Sequence, residues 1–399
     1  MADRYWVGGG SSTAWTATGN TNWSASSGGA NNASVPTSAD IVYFDGVGVN
    51  ANGTSAIISN QAALKLIMTS GFTGTLSQSG GINLNVNGDT VTLGVNCTIS
   101  AAGTLTSSGA CTFTFNGKSW NTIVLASAST TRICADDVRC SSLSISTTGI
   151  VINGNNLYFS TLITPQLFTG TTTLIQQGSG TWSGSGTVGL NMTITGTLTI
   201  TSASAFQTRT LTVTGTFNLG SQTLTLTSMT FVCSTGTINA GTSTISATTC
   251  TFNLNGEPLN IVNFSGTITI NSSLIFEQTN SSATPIVFAG TSGWTCDVLN
   301  GSAYVAAATW TFQESVEYII TSNFSCSASR IGATVLFQSS SASNKAKLTL
   351  NIGALCSVLA NFTRIDAGNG RTIRTFKGVV TDCINIQSFE DIKPVAATF

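Results

Sequence analysis

A short repeat runs through the middle of this 399-residue chain. Between residues 74 and 290, a Gly-Thr step is followed repeatedly by apolar residues that alternate with Thr, Ser or Asn. Five of these steps begin at Gly196, Gly215, Gly236, Gly266 and Gly290, so their spacing is irregular. An irregular period of about 20 to 30 residues is typical of coils that stack into a solenoid. The repeat therefore predicts an all-β chain whose body is a parallel β-solenoid (β-helix).

The segments between the glycines alternate apolar and polar residues, as strands with one buried face do. Examples are residues 82–86 (INLNV), 191–200 and 209–219. Tandem β-sandwich modules are the alternative architecture, because short strands joined by Gly, Asn and Ser turns also build sandwiches. Few turns are of the Asn-Gly hairpin type and the repeat has the length of a coil, so the solenoid is favoured. We expect Ile, Leu, Val, Phe and Cys inside, and Thr, Ser and Asn outside.

Asparagine is frequent where the predicted strands turn. Stacked coils bring equivalent turn residues together, so the sequence predicts polar ladders in which each side-chain amide pairs with the one above. The asparagines concerned are Asn83, Asn85, Asn87, Asn116, Asn153, Asn155 and Asn156.

Charged residues are scarce. They make up only 7% of the chain and leave a net charge of −1, whereas about a quarter of the residues of a usual soluble domain are charged. The chain therefore has no electrostatic attraction to nucleic acid or to anionic membranes, and no segment has the roughly 18 apolar residues of a membrane helix. We expect no nucleic-acid partner and no membrane insertion. Weakly charged β-edges are poorly protected from pairing, which favours self-association.

The first ten residues, MADRYWVGGG, lack the apolar stretch of a secretion signal, so synthesis and folding in a cytoplasm are expected. The ten cysteines are then expected to be reduced and to serve as small buried hydrophobic residues. Those that lie in alternating strand patterns are Cys97, Cys111, Cys233, Cys250 and Cys326.

The two ends differ from the repetitive middle. We predict an N-terminal aromatic cap or anchor at residues 1–50, a solenoid body at 51–345, and a C-terminal cap or docking segment at 346–399. A cap is expected because an open solenoid end exposes core side chains and unpaired backbone. The N-terminal candidates for capping or assembly are Trp6, Trp23, Phe44 and Asp45. The C-terminal candidates, in the most densely charged part of the chain, are Arg364, Asp366 and Arg371.

Several motifs at the ends carry a resemblance. They are WVGG at residues 6–9, NTNWS at 20–24, GGA at 28–30, Pro36 and Thr37 with Asp40, Phe44 with Asp45, FTGTL at 72–76 and IDAGNGRTI at 365–373. Together they resemble β-rich structural proteins of tailed bacteriophages. The resemblance implies a virion protein made in the host cytoplasm, either a tail fibre or spike module or a capsid decoration. It implies other virion proteins and copies of the chain itself as partners, most simply in a trimer, with a host surface glycan as a further candidate.

Histidine is absent from the chain. This removes the commonest general base and the commonest transition-metal ligand, so hydrolysis by a Ser-His-Asp or Cys-His device is excluded. A pair of carboxylates of the glycosidase type remains open. The candidate pairs are Asp136 with Asp137, and Glu257 with Glu277, whose separation in the chain is close to the length of one coil. Solvated surface carboxylates explain both pairs more simply.

The segment CADDVRC places Cys134 and Cys140 on either side of the two aspartates, but its spacing matches no structural zinc site. The glycine-rich residues 8–12 and 178–186 lack the lysine of a phosphate-binding loop and are interpreted as turns. No metal or cofactor is therefore expected. Together with these observations, the resemblance to phage proteins implies a non-enzymatic structural protein of a bacteriophage virion that acts through self-assembly and surface contact. The alternatives are a sugar-cleaving tailspike depolymerase and a bacterial surface adhesin, which would normally carry a signal peptide.

Overall fold

The structure is a computed structural model. It describes the whole chain except residues 18–20, 129, 148, 164–167, 185, 208, 242, 249, 255–257, 260, 266–268, 271–274, 278–285, 289–294, 301–307, 327–334, 359, 377–379 and 390–399. The described residues form β-strands joined by turns, and the stacked parallel strands make a β-solenoid of about 13 turns. The predicted fold class is confirmed. The chain divides into two compact units, unit 1 (Met1–Leu198) and unit 2 (Thr199–Phe399).

Unit 1 is built from short strands. They are β1 (Asp3–Trp6), β2 (Trp23–Ser24), β3 (Ile41–Phe44), β4 (Thr54–Ile57), β5 (Gln61–Ala63), β6 (Lys65–Met68), β7 (Thr75–Gln78), β8 (Asn83–Val86), β9 (Thr90–Thr92), β10 (Thr98–Ala101), β11 (Thr104–Ser107), β12 (Cys111–Thr114), β13 (Ser119–Leu125), β14 (Thr131–Cys134), β15 (Val138–Ile145), β16 (Ile150–Gly154), β17 (Leu157–Phe159), β18 (Thr161–Ile163), β19 (Phe168–Gln176), β20 (Ser179–Ser183) and β21 (Thr187–Ile194). The next strand, β22 (Thr197–Ile200), contains the division point.

The remaining strands belong to unit 2. They are β23 (Ser204–Gln207), β24 (Thr210–Val213), β25 (Thr216–Asn218), β26 (Thr223–Thr227), β27 (Thr230–Cys233), β28 (Thr237–Asn239), β29 (Thr244–Thr248), β30 (Thr251–Asn253), β31 (Pro258–Leu259), β32 (Ile261–Ser265), β33 (Thr269–Ile270), β34 (Ile275–Glu277), β35 (Ile286–Phe288), β36 (Thr295–Asn300), β37 (Ala308–Phe312), β38 (Glu317–Cys326), β39 (Val335–Ser339), β40 (Ala346–Leu350), β41 (Leu355–Val358), β42 (Asn361–Thr363), β43 (Ile365–Asp366), β44 (Ile373–Phe376), β45 (Val380–Thr381) and β46 (Ile386–Phe389).

In unit 1, strands of successive coils pair in parallel register, so equivalent side chains stack above one another. One inward column consists of Leu84, Leu105, Ile123, Leu143 and Leu162, each opposite the next. All five side chains are buried. Full burial of an aliphatic side chain contributes about 1.5 to 3 kcal/mol, so these columns hold the coils together. The period-two pattern of the sequence therefore corresponds to the observed inside and outside of each coil.

The coils of unit 1 become shorter along the chain. Leu66 in an early coil lies opposite Val91, whereas Leu105 in a later coil already lies opposite Ile123, so the later coil uses fewer residues. The longer coils carry an extra side, a three-stranded sheet in the order β10, β7, β4. This sheet ends at β10, so the solenoid has a step there.

A tight turn causes the step. If the chain returned over β10 at the same spacing as that between Leu105 and its partner Ile123, residues 116–119 would lie over that strand. Instead the chain turns at Asn116 and Gly117, whose φ angles are 49° and 75°, and the Lys118 amide donates to the Phe115 carbonyl at 2.9 Å. Positive φ at both central residues defines a type I′ turn, which Asn-Gly favours. The carboxylate of Asp136, one coil further on, accepts hydrogen bonds from the amides of Phe115 and Asn116.

Unit 2 contains an aromatic column, defined as Phe288, Phe312, Phe337 and Phe362. All four rings are buried. Their centroids are 5.0 Å apart between Phe288 and Phe312, 6.0 Å between Phe312 and Phe337, and 5.2 Å between Phe337 and Phe362, with interplanar angles of 29°, 24° and 15°. Offset-stacked pairs of this kind contribute about 0.5 to 1.5 kcal/mol beyond the burial of their area.

Some inward positions of unit 1 are polar. Gln78 donates to the carbonyls of Ile82 and Thr104 at 3.0 and 2.9 Å and accepts a 2.9 Å hydrogen bond from the indole Nε1 of Trp120. The side chain thereby joins neighbouring coils from within. Because both its donor and its acceptor are used, the cost of burying an amide is offset.

Arg132 is the most unusual inward residue, since its side chain is fully buried. Its guanidinium donates to the Ser107 hydroxyl at 2.9 Å, to the Ser107 carbonyl at 3.0 Å and to the Thr130 hydroxyl. No carboxylate in the described part of the chain forms an ion pair with it. Burial lowers the pKa of the guanidinium, because removal from water disfavours the charged form.

The asparagines bridge neighbouring coils, but the predicted amide ladder is mostly replaced by another pairing. Asn83, for example, accepts a 2.8 Å hydrogen bond from the Thr106 hydroxyl. An amide-to-amide contact joins Asn239 to Asn218 at 2.7 Å, at positions that the sequence analysis did not name. Hydroxyl and backbone partners dominate because Thr and Ser occupy most equivalent positions one coil away. The same holds for Asn85, Asn116, Asn153 and Asn155.

The eight cysteines whose side chains the structure describes are free thiols. Cys97, Cys111, Cys134, Cys140, Cys233 and Cys250 are buried, whereas Cys356 and Cys383 are half-buried. Cys326, predicted to lie inside, has its side chain outside the described part of the structure. Most described thiols thus occupy inward positions, as the alternating pattern predicts.

Candidate functional site

The N-terminal candidates Trp6, Trp23 and Phe44 come together in one buried cluster with Trp15 and Phe72, which we call the aromatic cluster. Ring centroids are 5.3 Å apart between Trp6 and Trp23, 4.8 Å between Trp15 and Trp23, and 5.0 Å between Phe44 and Phe72. Sequence reasoning named three of these five residues. Trp15 was also detectable because it lies in the same tryptophan-rich stretch, and Phe72 was detectable because it begins the FTGTL motif.

The backbone holds this cluster against the first coil. Strand β1 pairs in parallel with β3 and antiparallel with β2, where Trp6 lies opposite Trp23. The buried amide of Asn22 accepts from the Gly10 amide at 2.8 Å and donates to the carbonyls of Ser12 and Ala14 at 2.7 and 2.8 Å. The glycine-rich turn is therefore tied to β2.

Glycine is required in this turn. Gly8 has a φ of +63°, and a Cβ atom there would lie 2.5 Å from the carbonyl oxygen of Asn50. Any other residue would thus combine a left-handed backbone with a steric clash. The interpretation of residues 8–12 as a turn, rather than a phosphate site, fits this geometry.

Asp40 anchors the start of the chain, a role that its motif did not reveal. Its carboxylate accepts hydrogen bonds from the Ala2 amide at 3.0 Å and from the amide and hydroxyl of Thr37 at 3.0 and 2.8 Å. Burial opposes ionisation of this carboxyl group, but the hydrogen bonds from Thr37 and Ala2 outweigh it, so the pKa of Asp40 is lowered. The Thr37 and Asp40 motif is therefore a structural clamp on β1.

Asp45, the fourth N-terminal candidate, lies beside the aromatic cluster rather than within it. Its carboxylate accepts a 3.0 Å hydrogen bond from the amide of Val47 in an exposed turn. Asp45 thus shapes the chain where it leaves β3.

The C-terminal candidates contact backbone groups rather than one another. Arg364, whose φ is 54°, donates to the Ser341 carbonyl at 2.8 Å. Arg371 donates to the Ala354 carbonyl at 2.6 Å, and Asp366 accepts from the Gly368 amide at 2.8 Å. The two arginines therefore tie neighbouring turns of unit 2 together, whereas Asp366 stabilises the local turn at Gly368. The charged residues Lys377, Glu390, Asp391 and Lys393 lie outside the described residues.

Two further carboxylates brace this end. Asp382 forms an ion pair with Lys345 at 2.6 Å. Glu317 accepts hydrogen bonds from the Thr349 hydroxyl at 2.6 Å and the Asn369 amide at 3.3 Å, and these bonds lower the pKa of its carboxyl group.

The adjacent aspartates that were candidates for catalysis have separate structural roles. Asp136 holds the Phe115–Lys118 turn, as described above. Asp137 forms a 3.6 Å ion pair with Arg139, whose guanidinium lies 3.9 Å from the centroid of the Tyr158 ring. For the second candidate pair, Glu257 and the side chain of Glu277 lie outside the described residues.

The cysteines of the CADDVRC segment are buried. Burial raises the pKa of Cys134 to about 12 and also raises that of Cys140. Both thiols are therefore protonated at neutral pH and are poor metal ligands in this form. In the part of the chain that the structure describes, no group of three or more Cys, Asp or Glu residues is placed to hold a metal ion.

No protein-family profile, no curated protein and no solved structure matches the chain. Among the described residues, no helix has the length and apolar character needed to cross a membrane.

Proposed function

We propose that the chain is a non-enzymatic structural protein of a bacteriophage virion, either a tail fibre or spike module or a capsid decoration, that acts through self-assembly and surface contact. The observation that carries the proposal is the parallel β-solenoid itself, whose outward residues are mainly uncharged Thr, Ser and Asn. This fold is compatible with a spike and with an adhesin. The end motifs that resemble phage proteins favour the virion.

The surface chemistry supports self-assembly. With 7% charged residues in the chain, two solenoid faces can approach each other while few charges lose their water, and desolvated charges are the costly component of such contacts. Identical copies then associate around a symmetry axis. A trimer is the state that the resemblance to fibres and spikes implies.

The described carboxylates support a role without catalysis. Asp136 holds a turn, Asp89 pairs with Lys65 at 2.8 Å, and Glu317 bonds to Thr349. A glycosidase needs one carboxyl group that is free to give a proton and a second that faces the sugar. Carboxylates engaged in structural hydrogen bonds are less suited to either task.

Immunogold electron microscopy tests the proposal. Antibodies against the purified chain are applied to phage particles and to bacterial envelopes from the same source. We expect gold on the particles, at the tail or on the capsid. Gold on the envelopes alone would instead identify an adhesin.

Two solution experiments complete the test. Sedimentation of the purified chain at micromolar concentration is expected to show a trimer, and a monomer would remove self-assembly in isolation. Incubation with capsular polysaccharides is expected to release no reducing ends. Release of reducing ends would support the depolymerase.

A further inference from the structure

The step in unit 1 leaves one strand with an open edge. Strand β10 pairs with β7 on one side, from Thr98 opposite Thr75 to Ala101 opposite Gln78. On its other side the Phe115–Lys118 turn takes the place of a covering strand. We call the open side of β10 the ledge.

Backbone groups of the ledge lack partners among the described residues. The backbone amide of Thr98 donates to the Gly74 carbonyl, and that of Ala102 donates to the Gln78 carbonyl, each at 2.9 Å. Both amides therefore face β7. Because the hydrogen-bonding direction alternates along a parallel strand, the N–H and C=O groups of Ile99 and Ala101 point the other way. Within the described part of the chain, no backbone hydrogen bond reaches these groups.

The side chains of the ledge are also incompletely covered. Ile99 and Ala101 lie opposite Leu76 and Gln78, which are buried, yet both are only half-buried. The missing strand would have covered them. The ledge therefore offers unpaired backbone groups and an apolar surface at the same place.

A groove of about 280 Å³ adjoins the ledge. Its walls include Ser119, Asn121 and Ser141, and its lining includes the buried Trp120. The Asn121 side-chain amide donates to the Ala102 carbonyl at 2.9 Å, beside the C-terminal end of β10. The described residues that line this groove carry no charge.

We propose that the ledge binds an extended polypeptide segment with small, uncharged side chains, which adds to β10 as a further strand. The backbone of an extended peptide presents donors and acceptors at the two-residue spacing of Ile99 and Ala101, and strand addition to an open edge is an established mode of peptide recognition. The described residues that line the groove carry no charge, so a charged segment would lose hydration there without a charged partner among them.

A loose segment fits this recess better than a second folded copy. The groove is lined by β10 on one side and by Ser119, Trp120 and Asn121 of the next coil on the other, and the Asn121 amide is bonded to the Ala102 carbonyl. A folded solenoid would have to bring its own edge into that space, together with the coils beside it.

The probe for the test is a fluorescent peptide, TGTLSQSG, which copies residues 73–80 and so the strand that β10 already accepts on its other side. We expect saturable binding to the full chain by fluorescence anisotropy. Hydrogen exchange measured by mass spectrometry should slow at residues 98–102 when the peptide is bound. A peptide N-methylated at alternate residues should not bind, because its donors are blocked.

Three variants test whether the peptide binds at the ledge. Ile99→Lys introduces a charge on the ledge, and Ala101→Pro removes an outward donor while the β7 ladder stays intact. Each should weaken binding at least tenfold. Ile133→Lys, a matched change at an exposed strand residue elsewhere (44% exposed), should leave binding unchanged. Thermal melting of each variant checks that it folds.

Several results would overturn the proposal. These are absence of binding and of protection, equal binding of the N-methylated peptide, or equal binding by Ile99→Lys and Ile133→Lys. Loss of self-association in Ile99→Lys without peptide binding would assign the ledge to a second copy. The ledge exists in the isolated chain, so this test is independent of the virion assignment.

Discussion

Single buried residues give the protein a measurable dependence on pH. Burial raises the pKa of the Cys111 thiol from 9.0 to about 11 and that of Cys134 to about 12. The thiols of the unfolded chain ionise near pH 9, whereas those of the folded chain stay protonated. The unfolded state therefore loses protons first, and the free energy of unfolding should fall as pH rises from about 9 to about 11, by about 1.4 kcal/mol per pKa unit and thiol.

Urea unfolding between pH 8 and pH 11 measures this slope. Cys111→Ala removes one of the responsible groups, so its slope should be smaller than that of the unchanged chain. Equal slopes would show that these thiols do not control the alkaline stability.

The buried Arg132 leads to a second prediction. A buried charge with neutral partners is costly, and replacing such groups by apolar side chains of similar volume is often neutral or stabilising. Arg132→Met should therefore keep the free energy of unfolding within about 1 kcal/mol of the original or raise it. Arg132→Ala leaves a cavity and should lower it by about 3 kcal/mol. Urea unfolding separates the two, and an equal loss in both variants would show that the guanidinium itself stabilises the core.

The spacing between Arg132 and Cys134 could have predicted that the Arg132 side chain points inward. Arg132 and Cys134 are two residues apart, so a strand through both places them on the same face. The hydrophobic Cys134 predicts an inward face, and Arg132 then points inward as well. Charge normally argues for exposure, and that preference hides the signal. The partners in Ser107 and Thr130 depend on the stacking register, which no local pattern fixes.

Individual elements, above all the turns, decide where the regular coil changes. The Phe115–Lys118 turn ends one sheet of unit 1, and Asp136 secures it. Asp136→Ala removes two hydrogen bonds to a charged acceptor and should destabilise the protein by about 2 to 4 kcal/mol. The neighbouring Asp137→Ala is a matched control, because its half-exposed ion pair contributes at most about 1 kcal/mol.

Thermal unfolding of the two variants is the measurement. A larger loss in Asp137→Ala, or equal losses, would contradict the role of Asp136. Hydrogen exchange at residues 115–118 provides a second readout, since only Asp136→Ala should speed it.

The parallel coils were predictable from the repeat, but the step was not. Residues 98–101 and residues 111–114 alternate apolar and polar side chains in the same way, so the alternation does not reveal where the step lies. Only the Asn-Gly pair at Asn116 and Gly117 marks the change, and such a pair also occurs in ordinary hairpins. Its effect depends on the offset between coils, which follows from the whole stack. The ledge could for this reason be found only in three dimensions.

For the molecule as a whole, the sequence indicated which end carries an aromatic cluster because the tryptophans are concentrated there. It did not indicate the clamp formed by Asp40, since the structural role of an isolated carboxylate depends on distant partners such as Ala2. The C-terminal candidates were identified by charge, yet their observed partners are backbone groups. Charge density alone therefore located that region without revealing what its side chains do.

The last prediction concerns the removal of residues 1–50. This deletion takes away Trp6, Trp23 and Phe44 from the aromatic cluster, and it removes β3, which pairs with β6 from Ile41 opposite Lys65 to Phe44 opposite Met68. The new end would expose an unpaired edge at β6 and the buried side chains beside it. Both features promote pairing between molecules.

We therefore expect the truncated chain to aggregate, as measured by light scattering and by the soluble fraction after expression. Val49→Ser, at a fully exposed position of the same segment (101%), should remain soluble and melt like the unchanged chain. If residues 1–50 are instead a detachable anchor, the truncated protein would be soluble, would melt normally and would fail only to join the particle. The burial of three tryptophans against the first coil favours the cap, because an anchor that separates freely would leave those rings in water.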